Sequence, residues 1–142
     1  MNTPSAVEKE AYDEICAYTL SRRDKAFIHQ HVVDAYKAQT ASSSDKPIGL
    51  TFALIGLYLH VEHNYSGRAV QLAHMKLGRQ KRDWPRFLLP MERGEITASI
   101  VWTAPEGPER DNLIHDWCVS VWQAHVNNHA AVKAWAKEWQ LV

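Results

Sequence analysis

The segment from Ile48 to Val61 constrains this chain more than any other. Across its 14 residues it holds Leu50, Phe52, Leu54, Ile55, Leu57, Tyr58 and Leu59, and no Asp, Glu, Lys or Arg. A helix apolar on every face must be covered on every face, so it belongs at the centre of a bundle. It is too short to cross a hydrocarbon layer ~30 Å thick. Pro47 suits its first turn, and Asn64-Tyr65-Ser66-Gly67 ends it.

The flanking sequence supplies the cover. A first helix opens near Thr3-Pro4-Ser5, and Val7, Ala11, Ile15 and Tyr18 recur along one face at three- and four-residue steps. Asp24 can cap a second helix through Phe27/Ile28, Val32 and Ala35/Tyr36 to about Thr40, and residues 41–46 form a polar linker. Ser66 can cap a fourth helix bearing Val70, Ala73, His74 and Leu77. From Lys81 to Gly94 the period fails at Pro85 and Pro90, yet Trp84, Phe87, Leu88 and Leu89 remain. A long structureless loop is unusual in a compact domain, so apolar anchors should pin this one. Thr97 can cap a short helix through Trp102, and Pro108 opens a long one with Ile114, Trp117, Val121 and His125 on one face. Asn127-Asn128 interrupts or kinks it before Val132, Trp135 and Trp139 continue the face. No stretch alternates like a strand. The sequence predicts an all-α fold: one helical domain over residues 1–142, a bundle of five or six helices with an ordered, Pro-containing loop.

Sixteen basic residues balance sixteen acidic ones, which removes the electrostatic argument for a nucleic-acid or membrane-surface partner. The N-terminal residues lack the basic start and apolar stretch of a secretory signal. Cys16 and Cys118 lie within apolar helical patterns and read as reduced core thiols. These features predict a cytoplasmic location, no membrane partner and no nucleic-acid partner.

Eight histidines are the unusual feature. Imidazole is the commonest metal-ligand side chain, and bundles build metal sites from facing helices. His60 and His63 lie three apart, His31 and Asp34 three apart, and His125 and His129 four apart; such spacing leaves Cβ atoms ~5–6 Å apart, close enough for one ion. The zinc-protease signature His-Glu-x-x-His is missing from His60-Val61-Glu62-His63. The inward-facing set His29, His60, His63 and His115 is the candidate ligand group, with a divalent metal such as zinc as its cofactor. A second version would use His125 and His129 with one distant histidine. Against both stands the plainer reading, in which single histidines cap helices, make one hydrogen bond or face solvent. His63 near a helix C-terminus would favour its cationic form, and His74 sits on an apolar face.

Other chemistries are weaker. Cys118 lies three residues beyond His115, but between Trp117 and Val119 a small buried thiol is expected rather than a nucleophile. Lys76, Arg79, Lys81, Arg82 and Arg86 surround Trp84, which suits a solvated helix end more than a base-stacking platform. Trp117 suits a core or a pocket wall, and Trp135 and Trp139 share a face of the last helix, fit to dock on the bundle or on a second copy.

Phe27-Ile28-His29-Gln30-His31-Val32-Val33-Asp34-Ala35-Tyr36 followed by Gln39, Leu54 to Leu59 ending in Glu62, and His115 to Trp122 together resemble an uncharacterised bacterial family of short helical proteins. The likeness runs from the first helix to about residue 125, and the His-Gln-x-x-Val-Asp-Ala-Tyr stretch is its most specific part. Relatives open with a Cys-Pro-x-Cys segment like a metal knuckle, which this chain lacks. The resemblance implies a helical fold and no established activity. It marks His29, Gln30, Asp34, Tyr36 and His115 as motif positions.

Two functional readings stand side by side. One is a metal- or small-molecule-binding bundle, with the four histidines as ligands and Asp34, Tyr36 and Trp117 at a ligand pocket. The other is a non-catalytic interaction module, with a homodimer contact through the Trp-rich final helix.

Overall fold

The protein is described by a computed structural model of residues 5–79 and 82–142. Among these residues there are seven α-helices and no strand. They are α1 (Ala6–Arg22), α2 (His29–Thr40), α3 (Pro47–His63), α4 (Gly67–Gly78), α5 (Ala98–Thr103), α6 (Pro108–Ala124) and α7 (His129–Glu138). The expected all-α bundle is present, but five or six helices is corrected to seven. The extra boundary falls at Asn127-Asn128, where a 3-10 turn over Val126–Asn128 separates α6 from α7. Asn128 is buried, and its amide brackets the backbone of Leu88: Oδ1 accepts from Leu88 N–H and Nδ2 donates to Leu88 C=O, each at 2.8 Å. A side chain committed in this way to the long loop fixes a turn where the apolar period alone would continue the helix.

α3 is the central helix. Leu50, Thr51 and every residue from Ala53 to Leu59 are buried, and α2, α4, α6 and α7 all pack on it. Pro47 takes its first position, and Asn64 closes it in the left-handed conformation at φ 56°. No helix among the described residues is long and apolar enough to cross a membrane.

Several capping expectations hold, and one shifts. Ser5 caps α1 by accepting from Glu8 N–H, and Ser66 caps α4 by accepting from Ala69 N–H. Thr3, Pro4 and Lys81 lie outside the described residues. Asp24 accepts from Ile28 N–H at 3.1 Å, but α2 begins only at His29 because Phe27 turns left-handed at φ 54°. The start of α4 occupies the space a longer α2 would need. Arg68 N–H donates to Ala26 C=O, and a Cβ on Gly67 would stand 1.8 Å from Phe27 O, so only glycine permits this approach.

The loop between α4 and α5 is pinned as its apolar content required. Trp84, Phe87 and Leu89 pack against the core, while Leu88 is exposed. Its second fastening is Arg93, which is buried and donates to Ala41 C=O at 2.6 Å, to the carbonyls of Ala38 and Gln39, and through Nε to Pro90 C=O at 2.8 Å. A guanidinium there meets the carbonyls that end α2 and the negative end of its dipole. At the opposite end, the Arg110 guanidinium lies between the rings of Tyr18 and Trp102, 4.6 and 4.3 Å from their centroids. Trp139 packs edge-on against Trp84 of the loop at 5.7 Å and stacks with Trp135 at 4.8 Å. That tryptophan face therefore meets its own bundle.

Candidate functional site

Two polar constellations lie against α2, one around buried His31 and the other around buried Asp34. The first is imidazole. His31 of α2 stacks on His60 of α3 with ring centroids 3.6 Å apart. His115 of α6 approaches His60 edge-on, with Nδ1 3.1 Å from His60 Nε2. His60 Nδ1 lies 2.9 Å from Tyr65 C=O. A carbonyl can only accept, so Nδ1 carries the proton and His60 Nε2 presents a lone pair. Burial, with His60 and His115 as neighbouring charges, draws the His31 pKa down to about 3. Burial also lowers His60.

Of the four predicted metal ligands, the fold brings His60 and His115 together and sends the other two elsewhere. His29 Nδ1 lies 2.9 Å from Thr19 Oγ1, and exposed His63 lies 2.8 Å from the Tyr58 hydroxyl. The pair His125 and His129 does not converge either. His125 Nε2–H donates to Ala38 C=O and its Nδ1 accepts from Asn128, while His129 Nε2–H donates to Trp122 C=O. Among the described residues no group of three or more His, Cys, Asp or Glu side chains is arranged to hold one metal ion. Cys118 bonds to the backbone of α2. Its buried thiol donates to His31 C=O at 3.6 Å, and burial pushes its pKa far up, the opposite of nucleophile activation.

The second constellation starts from Asp34, whose carboxyl is buried without a cationic partner among the described residues. Oδ1 accepts from Gln30 Nε2 at 3.1 Å, one helical turn back, and Oδ2 has no hydrogen-bond partner. The same Gln30 Nε2 lies 3.3 Å from His74 Nδ1. His74 Nε2–H donates to Phe52 C=O at 2.7 Å, so its Nδ1 is the acceptor and the direction of every bond follows. Burial holds the Asp34 carboxyl well above the usual carboxylate range and lowers His74. The neutral form of each is favoured.

Asp34, Gln30 and His74 share a wall of an open cavity of about 590 Å³ between α2, α3 and α4. Val33, Ile48, Phe52 and Ala53 supply apolar surface. Tyr36 also lines it, stacked on Tyr12 at 3.8 Å, with its hydroxyl unpartnered. Of the three predicted ligand-pocket residues, Asp34 and Tyr36 therefore line one cavity. Trp117 is fully buried in the core and donates from Nε1 to Gln39 Oε1 at 3.0 Å.

Sequence reasoning did not reach Gln30 and His74 as a pair, since 44 positions separate them. It also left His31 out of the imidazole group, although its three-residue step to Asp34 was visible. Gly56 was missed as a site residue: it stands where any side chain would strike the Asp34 carboxyl.

Among proteins of curated function and among solved structures, nothing matches the chain. A family profile matches residues 8–126, a span that contains both constellations and their helices. This chain belongs to the family of unknown function DUF5946.

Proposed function

We propose that this helical domain binds a small, largely apolar organic molecule in the cavity between α2, α3 and α4. What supports the reading is one observation: a buried carboxyl without a counter-ion shares that cavity's wall with an amide–imidazole chain. Small-molecule sites are mostly apolar, hold a few convergent polar groups and span roughly 300–1,000 Å³; the cavity's 590 Å³ falls within that range. An unpaired buried polar atom costs free energy, so a cavity-lining residue that keeps one calls for a reason beyond packing. Asp34 acts as a neutral acid, Gln30 and His74 fix its orientation, and the Tyr36–Tyr12 stack supplies a flat aromatic face.

A fragment screen by ligand-observed NMR, with amide shift mapping on the protein, tests this. Val33→Trp fills the cavity from a half-buried position. Fragments should perturb residues 30, 34, 52 and 74 and lose binding in Val33→Trp. Fragments that map elsewhere, or bind Val33→Trp equally, would overturn the reading.

A further inference from the structure

We infer that His60 and His115 form an open two-imidazole site for a borderline first-row dication such as zinc or copper(II), separate from the cavity. The argument begins with orientation. Metal-bound histidine characteristically donates its second ring N–H to a carbonyl or carboxylate, which fixes tautomer and ring plane. His60 already does so, with Nδ1–H on Tyr65 C=O at 2.9 Å and Nε2 directed away from it as a lone pair.

His115 Nδ1 stands 3.1 Å from that lone pair, with the two rings at 89°. In the metal-free pair a proton on His115 Nδ1 bridges the nitrogens. His115 is exposed, so this proton can transfer through solvent to its own Nε2. The ring stays neutral, both facing nitrogens become lone-pair donors, and no net proton leaves the pair. Two Zn–N bonds of ~2.0–2.1 Å spanning 3.1 Å subtend about 95–100° at the ion. That angle lies between square-planar and tetrahedral values, and imidazole suits both copper and zinc.

The neighbours are consistent with this assignment. His31 covers one face of His60 as a stacked ring and restrains its rotation. The two ligands project from α3 and α6, so the ion would cross-link packed helices rather than one flexible segment. With two protein donors, one fewer than an open catalytic zinc site holds, the remaining positions fall to water or to a small ligand.

Zinc titration of untagged protein by calorimetry, with copper(II) electron paramagnetic resonance alongside, tests the assignment. One ion per chain is expected, with hyperfine structure from two nitrogens. His115→Ala removes an exposed side chain without touching the core and should weaken binding at least tenfold. His63→Ala, on the same helix but bonded to Tyr58, should bind as wild type. Absence of binding, unchanged binding by His115→Ala, or equal loss in His63→Ala would overturn the site.

Discussion

Gly56 of α3 lies directly against the carboxyl of Asp34 on α2. A Cβ at residue 56 would stand 2.0 Å from Oδ2 and 2.7 Å from Cγ, with Val70 Cγ1 at 3.1 Å behind. The buried acid and the missing side chain are thus one feature. Replacing glycine by alanine inside a helix is ordinarily worth about 1 kcal/mol in favour of alanine. Here the clash dominates, because the Asp34 carboxyl and Val70 Cγ1 already occupy the space that a Cβ would take. Gly56→Ala should destabilise the fold by about 1–3 kcal/mol, read from urea unfolding. In an Asp34→Ala background the same change should cost at least ~1 kcal/mol less; equal costs in both backgrounds would dissociate the two residues.

Asp34 itself should make the protein less stable as pH rises. The unfolded carboxyl ionises near its ordinary value of about 3.9, while burial keeps the folded one protonated to higher pH. Above that ordinary value the unfolded chain binds fewer protons, so stability falls as pH rises toward the folded pKa. Asp34→Asn cannot ionise and avoids this loss. Its advantage over wild type should grow from pH 4 to pH 7.5 in parallel denaturation series, and a difference flat with pH would refute the assignment.

His125 acts with the opposite sign. Burial lowers its pKa to about 4, against hydrogen bonding to Ala38 C=O, which raises it. Between the unfolded value near 6.5 and the folded one, the unfolded state binds the extra proton, so stability is lost as pH falls through that window. The slope from this ring alone reaches about 1.4 kcal/mol per pH unit. Its NMR ring resonances should remain those of neutral imidazole at pH 5; titration near 6.5 would show that the ring is not held as described.

Arg93 fastens the long loop to the end of α2 entirely through carbonyl oxygens. Losing it removes a charged donor from four carbonyls, of which Ala38 C=O keeps its bond from His125, and should cost about 2–4 kcal/mol, as for bonds involving a charged group at a helix terminus. Arg93→Lys should recover little, because one ammonium cannot span Pro90 and Ala41 together. Urea midpoints of Arg93→Met and Arg93→Lys check this; recovery to near wild type by lysine would mean that charge alone matters.

The element pattern was legible because it is local. Pro47, Ser66 and Asn64 act on their own helix ends, and the apolar run they enclose reports its burial without reference to any partner. The start of α2 was not legible, since Gly67, 40 positions beyond Phe27, is what blocks the earlier turn. The boundary between α6 and α7 likewise depends on Leu88, 40 positions from Asn128.

The candidate sites divide in the same way. Sequence by itself determined that this chain makes an all-α bundle around Pro47–His63, and that several of its histidines and Asp34 stand at helical spacing. Helical periodicity and capping are set within a few residues, so they can be read along the chain. Only the tertiary structure decided that His60 meets His115 while His29 and His63 turn to other partners, and that Gln30 reaches His74. Those outcomes depend on helix rotation and packing distance, which are fixed by the whole core at once and carry no local signature.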